Sequence, residues 1–179
     1  MDDERSAECM VEIVTMGGDR FVLDFEATPT LLGVKRRLQE QIQIGIYRQR
    51  LIHKSCCLQD EGLLSDIPKP WNLTLVKLPY IHNSWQDDDE LCDAARRGDK
   101  QTLVQLLKKP CRPDCLNELG GTPLQIAIRA GHLDTVRLLC EAGADKDKAT
   151  KDGVTLLLLA SFEGHLEIVR LLCEAGADK

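Results

Sequence analysis

Apolar and polar residues alternate along "MVEIVTMGGDRFVLDF" at residues 10–25, with a Gly17-Gly18 pair in the middle. Val11 and Ile13 share one face before the glycines, and Phe21, Leu23 and Phe25 share one after them. A period of two on both sides of Gly-Gly predicts an antiparallel hairpin. The period then changes. In "TPTLLGVKRRLQEQI" the apolar positions Leu31, Val34, Leu38 and Ile42 recur three and four apart, which predicts a helix capped by Thr30. "VKRR" at 34–37 reads as the solvated face of that helix and not as a nucleic-acid patch. A short run "RQRLIH", a loop, "LLSDI" and a last strand "LTLVKL" follow. Two strands, a helix and further strands make an α+β unit.

Past residue 80 the pattern becomes a repeat. "CEAGADK" occurs at 140–146 and again at 173–179, a spacing of 33 that also relates Thr122 to Thr155, Gly131 to Gly164 and His132 to His165. One period earlier, "DELCDAARRGDKQTLVQLLKKPCRPDCLN" aligns Gly98 with Gly131 and Leu106 with Leu139. Each unit holds two short helical patterns. Thr122 caps the first, with Pro123 at its first position and Leu124 and Ala127 on one face, and Gly131 ends it. The second runs from about Leu133 to Glu141, with Val136, Leu139 and Cys140 inward, and Gly143 supplies the left-handed residue after it. Helices this short cannot bury both faces alone, and stacking the units makes one continuous core.

These residues resemble the ankyrin repeat: Thr122-Pro123-Leu124, Ala127, Gly131-His132-Leu133, Leu138-Leu139 and Gly143-Ala144-Asp145, most of them repeated in the next unit. Gln125 and Leu158 stand where the family has His, and Leu156 replaces its Pro; these change a local hydrogen bond and a helix start but not the fold. His132 and His165 are repeat-position residues explained by capping and packing. In the first unit Asp89 and Glu90 replace Thr-Pro, and Asp93 replaces the apolar residue found at Ile126 and Leu159, as suits an N-terminal cap with a polar outer face. Such a cap is not seen at the other end, where Ile168, Leu171 and Leu172 are core positions. The chain therefore reads as part of a longer array, or as one whose end something else covers.

Arg96, Arg129 and Phe162 occupy one repeat position and would climb the inner helices beside the concave groove such arrays use. Glu118, Leu119, Lys151 and Val154 would line its rim from the fingers between helix pairs. Arginine and aromatic side chains are favoured interface anchors. They point to a protein or peptide segment of acidic and apolar character. The other reading, ordinary exposed variable positions, stands beside it.

Residues 9–78 resemble ubiquitin-like domains. "QRLI" at 49–52, "LQD" at 58–60, "LSD" at 64–66, "LTLVKL" at 73–78 and the helix "TLLGVKRRLQ" fall in the family's order. The resemblance implies a β-grasp fold and an apolar binding patch at Met16, Ile52 and Val76, rimmed by Arg50 and Lys77. Thr74 replaces a His of that family, Val14 and Leu78 replace basic residues and Ser55 replaces a turn Gly, so the basic rim is thinner. The last strand continues into Pro79-Tyr80 and not into Gly-Gly, so the resemblance is to the integral kind that is not conjugated.

The expected organisation is a disordered tail over 1–8, a ubiquitin-like α+β domain over 9–79, a linker over 80–88 and an all-α ankyrin solenoid over 89–179. The solenoid divides into a degenerate cap repeat (89–117), a full repeat (118–150) and an incomplete one (151–179). Trp85 lies in the linker, where either domain could bury it.

Charge and cysteine content narrow the function. The formal net charge is −6; residues 1–80 carry ten basic and twelve acidic side chains, and residues 81–179 thirteen and seventeen. Neither part has the basic excess that draws nucleic acid. The longest apolar run, Leu156–Ala160, is too short to span a bilayer, and "MDDERSAECM" has no secretory apolar core. Cys140 and Cys173 stand at an apolar repeat position, so the eight cysteines read as reduced thiols of an intracellular protein, cytoplasmic with the nucleus also open to it. His53 with Cys56 and Cys57 reads as a surface loop with ordinary thiols, since no orienting third group or oxyanion hole accompanies it. Cys111 and Cys115 lack the further ligands a metal needs. No catalytic, cofactor or metal site is expected. The reading is a non-enzymatic adaptor that holds a protein or peptide in the ankyrin groove, with a ubiquitin-pathway link implied by resemblance. It is a monomer, or associates end to end through the uncapped repeat. The alternative is a regulatory N-terminal portion of a larger enzyme or signalling protein.

Overall fold

The computed structural model describes residues 9–54, 56–79, 85–109 and 111–177, without the side chains of Trp85 and Gln86. The tail expected over 1–8 and the expected burial of Trp85 lie outside these residues. The chain divides into two units, Met1–Leu78 and Pro79–Lys179.

In the first unit β1 (Cys9–Thr15) and β2 (Arg20–Phe25) form the expected hairpin, with Val11 opposite Leu23 and Ile13 opposite Phe21. The turn closes with Thr15 N–H on Asp19 O at 2.8 Å and Gly18 N–H on Thr15 O at 3.0 Å. Gly18 has φ +93°, open to glycine at no steric cost. Helix α1 (Leu31–Ile42) starts at Thr30, whose hydroxyl accepts from Gly33 N–H at 3.0 Å. β3 (Gln49–His53), β4 (Cys56–Cys57) and β5 (Asn72–Lys77) complete a mixed sheet ordered β2-β1-β5-β3-β4. β5 runs parallel to β1, and the remaining pairs are antiparallel. Val11, Ile13, Leu23, Leu51, Leu73 and Leu75 form the inner face and bury with Leu31, Val34 and Leu38 of α1 in one core.

Two local expectations change here. Lys35, read as part of a solvated helix face, is 1% exposed; only Arg36 and Arg37 of that run face solvent. Position 35 directly follows Val34 on the inward side of α1, and the ammonium pairs with Asp60. Cys56 and Cys57 are not in a loop. They pair with His53 and Ile52 as a two-residue edge strand after Lys54 turns the chain at φ +45°. Both thiols are exposed while His53 is 6% exposed, so the strand does not present a Cys/His pair in one site.

The second unit is a stack of three helix pairs: α2 (Trp85–Arg97) with α3 (Lys100–Lys108), α4 (Pro123–Arg129) with α5 (Leu133–Glu141), and α6 (Leu156–Phe162) with α7 (Leu166–Glu174). α2 packs on α4 and α4 on α6; α3 packs on α5 and α5 on α7. Helix α2 begins at Trp85, inside the stretch expected as linker, and carries Asp87 and Asp88 in its first turn, where the helix dipole favours acids. Thr122 and Thr155 cap α4 and α6, accepting from Gln125 N–H and Leu158 N–H. Ile168 and Leu172 are buried and Leu171 half-buried; Leu158, Phe162 and Leu166 are the exposed apolar residues of the last pair.

The duplicated "CEAGADK" measures what stacking does. Cys140 and Cys173 have the same neighbours in sequence, but burial pushes the Cys140 thiol up to about 11, while Cys173 is exposed. We predict that iodoacetamide at pH 8 labels Cys173 well before Cys140, because so high a value leaves roughly one Cys140 in a thousand as thiolate. Peptide mass spectrometry after timed quenching checks the order; equal rates would mean that α5 opens as readily as α7.

Candidate protein-binding groove

The groove is built from two parts of each repeat. Fingers fold identically at 117–121 and 150–154. Asn117 N–H donates to Gly121 O at 3.1 Å and Thr150 N–H to Val154 O at 2.9 Å, and a side-chain oxygen of Asn117 or Thr150 accepts the returning amide at 2.8 or 3.1 Å. Gly120 and Gly153 take φ +74° and +77° at equivalent points. The inner helices α2 and α4 supply the other wall.

Between them lies an open concavity of about 540 Å³. It brings together four of the seven residues expected there: Arg96, Leu119, Arg129 and Lys151. Glu118, Val154 and Phe162 are not among its lining residues. Glu118 is exposed, Val154 is half-buried in its finger, and Phe162 stands 87% exposed one repeat beyond Arg129. Asn117, Ile126, Thr150 and Asp152 line it as well. The fixed 33-residue period could have found Asn117 and Thr150, which are equivalent finger positions. Arg96 is already paired with Asp93 on its own helix, and Arg97 reaches the same carboxylate at 3.9 Å. The side chains of Arg129 and Lys151 have no hydrogen-bond or ion-pair partner among the described residues.

Repeat-to-repeat contacts hold this wall in register. His132 and His165 occupy N-cap positions, yet neither side chain caps its helix, which corrects the expectation of capping. Each ring instead reaches back to the preceding inner helix: His132 Nε2 lies 3.1 Å from Arg96 O and His165 Nε2 3.5 Å from Arg129 O. The carbonyls accept, so Nε2 carries the proton. Gly98 and Gly131 make room; a Cβ there would fall 2.9 Å from the His132 ring and 2.7 Å from the His165 ring. Asp99, one period before His132, caps α3 itself by accepting from Gln101 and Thr102 N–H. Gln125 bonds both within its own repeat and to the next one. Its Oε1 accepts from Thr122 N–H at 3.1 Å, and its Nε2 lies 3.2 Å from both Lys148 O and Ala149 O, just before the next finger.

In the first unit, Ile52 and Val76 lie on the sheet face opposite α1, since their neighbours Leu51 and Leu75 point into the core. Ile52 pairs with Thr74 and Val76 with Arg50, which makes Ile52 and Val76 diagonal neighbours. Met16 is 78% exposed at the hairpin tip.

The Cys111 and Cys115 thiols donate to Leu106 O and Asp88 O, and both are buried. The hydrogen bond with Cys92 and burial push the Cys115 thiol up. Among the described residues no group of three or more His, Cys, Asp or Glu could hold a metal, and no helix is long and apolar enough to cross a membrane.

Residues 91–179 match the family model for ankyrin repeats in three copies. Over 68 residues the chain is 38% identical to the 2-5A-dependent ribonuclease of Mus musculus, covering 37% of this chain and 9% of that protein. It is 38% identical over 75 residues to a putative ankyrin repeat protein of Pseudomonas aeruginosa (42% and 39% covered). It is 43% identical over 69 residues to ankyrin repeat and SOCS box protein 1 of Mus musculus (34% and 20% covered). The chain thus spans less than half the length of each of these curated relatives. The period of 33, the stacked helix pairs and the family match agree: residues 91–179 are ankyrin repeats.

Proposed function

We propose that this protein is a non-enzymatic adaptor whose ankyrin groove holds a protein partner. Ankyrin repeats imply protein–protein interaction. The observation that carries the reading is the concavity that gathers Arg96, Leu119, Arg129 and Lys151 from two inner helices and two fingers. We assign the N-terminal unit to a ubiquitin-like β-grasp domain, supported by its strand order β2-β1-β5-β3-β4 and the placement of α1 between β2 and β3. In this reading Met16, Ile52 and Val76 recruit a second factor and link the groove's client to the ubiquitin pathway. NMR titration of the full chain with a ubiquitin-receptor domain tests that half. Shifts clustered at Met16, Ile52 and Val76 support recruitment, and their absence at millimolar receptor reduces the unit to a structural module. For the groove, quantitative proteomics compares partners captured by the wild type and by Arg129→Glu. Loss of a captured partner by about tenfold supports the site, and an unchanged set of partners removes it.

One observation favours a second reading, a regulatory portion of an enzyme: a ribonuclease shares these repeats over 9% of its length. An immunoblot of the native protein at the size of this chain supports the adaptor. A much larger band with enzymatic activity in the immunoprecipitate supports the alternative.

A further inference from the structure

We infer that the groove selects an extended peptide in which an acidic residue and a large apolar residue stand about three positions apart. The inference rests on the groove reading above and names the partner's chemistry.

Charge is the first argument. Residues 81–179 carry more acidic than basic side chains, seventeen against thirteen. The concavity reverses that balance, with Arg96, Arg129 and Lys151 against Asp152 alone. Arg96 is satisfied by Asp93. The side chains of Arg129 and Lys151 are not satisfied by any described residue, and they face the same concavity from a helix and from a finger. A carboxylate set between them would gain both cations, and the guanidinium can hold it through two parallel hydrogen bonds.

Position supplies the second. Phe162 follows Arg129 by one repeat and is 87% exposed, with Leu158 one helical turn before it at 59%. The shared repeat position therefore passes from a cation in the concavity to an aromatic one repeat beyond it. Helices α4 and α6 are packed neighbours, and packed helices lie about 8–10 Å apart. An extended chain advances about 3.3 Å per residue. One repeat step thus corresponds to about three residues of peptide. A partner with a carboxylate on Arg129 and Lys151 places the side chain three positions on against Phe162 and Leu158.

Selection of random twelve-residue peptides displayed against the full chain tests this. Enriched peptides are then titrated against wild type, Arg129→Glu, Lys151→Glu and Phe162→Ala, with circular dichroism confirming that each variant folds. The expected result is enrichment of Asp or Glu three residues from Phe, Leu or Trp. Arg129→Glu and Lys151→Glu each weaken binding about tenfold or more, and an Asp→Arg peptide recovers affinity for Arg129→Glu. Peptides that lack an acid but still lose affinity in the groove variants overturn the proposed chemistry and leave the groove as the site. Peptides indifferent to all three variants overturn the groove reading itself. No enrichment above background overturns the claim that a short peptide suffices. A single-stranded oligonucleotide that binds through Arg129 and Lys151 more tightly than any selected peptide overturns the assignment to protein.

Discussion

Asp60→Ala is expected to destabilise the N-terminal unit by about 3 kcal/mol, whereas Lys35→Met costs less than about 1 kcal/mol. The two substitutions break the same ion pair, and the difference lies in what each leaves behind. Lys35 is 1% exposed and the Asp60 side chain 30%. Removing Asp60 strands an ammonium on a side chain that is 1% exposed, with its charge partner gone. Removing Lys35 leaves a carboxylate that water can reach, and a methionine refills the buried volume with an unbranched apolar chain. The estimate for Asp60→Ala sits at the low end for a broken buried pair because Asp60 is partly hydrated already. Hydrogen exchange of the β1, β3 and β5 amides in the full chain reads the stability of this unit without interference from the repeats. Equal losses in the two variants would show that the desolvated ammonium is not what makes the pair matter.

That pair also shows where sequence reading stops. The periods of two and of three-to-four residues place the hairpin, α1 and the repeat helices, because apolar spacing depends only on local geometry and on which side is buried. Thr30 and Thr122 are legible as caps for the same reason: the groups they satisfy lie three residues away. Lys35 is not legible, because its partner Asp60 is 25 positions distant and "VKRR" looks uniformly charged. The His132 and His165 contacts escape in the same way. Their acceptors lie 36 residues back, on a neighbouring repeat. The groove divides along this line. Arg96 and Arg129 are found by adding one period to an exposed helix position, and Leu119 and Lys151 by their place in the fingers between helix pairs. Their convergence on one concavity depends on how the repeats stack.

Gln125→Leu is expected to cost the repeat array about 2 kcal/mol, while Leu158→Gln, the reverse exchange at the equivalent position, changes stability by less than about 0.5 kcal/mol. Gln125 is 6% exposed and serves two repeats at once. With Leu in its place the buried Thr122 N–H loses its acceptor, and the Lys148 and Ala149 carbonyls lose the donor that ties the next finger to α4. Those two carbonyls lie near the surface and can turn to water, so the buried amide carries most of the cost. At position 158 the side chain is 59% exposed. A glutamine there can close a capping box with Thr155, which already accepts from Leu158 N–H at 3.3 Å, but it has no described finger to hold. Urea unfolding of the full chain, followed by helical circular dichroism, gives both values. If the two substitutions shift the midpoint equally, Gln125 acts only as a local cap. If Gln125→Leu alone is severe, the buried Thr122 amide carries most of the loss and the Lys148 and Ala149 carbonyls, which couple the repeats, the remainder. In a linear array that coupling also sets how firmly Lys151, in the finger that begins two residues after Lys148, is held across from Arg129.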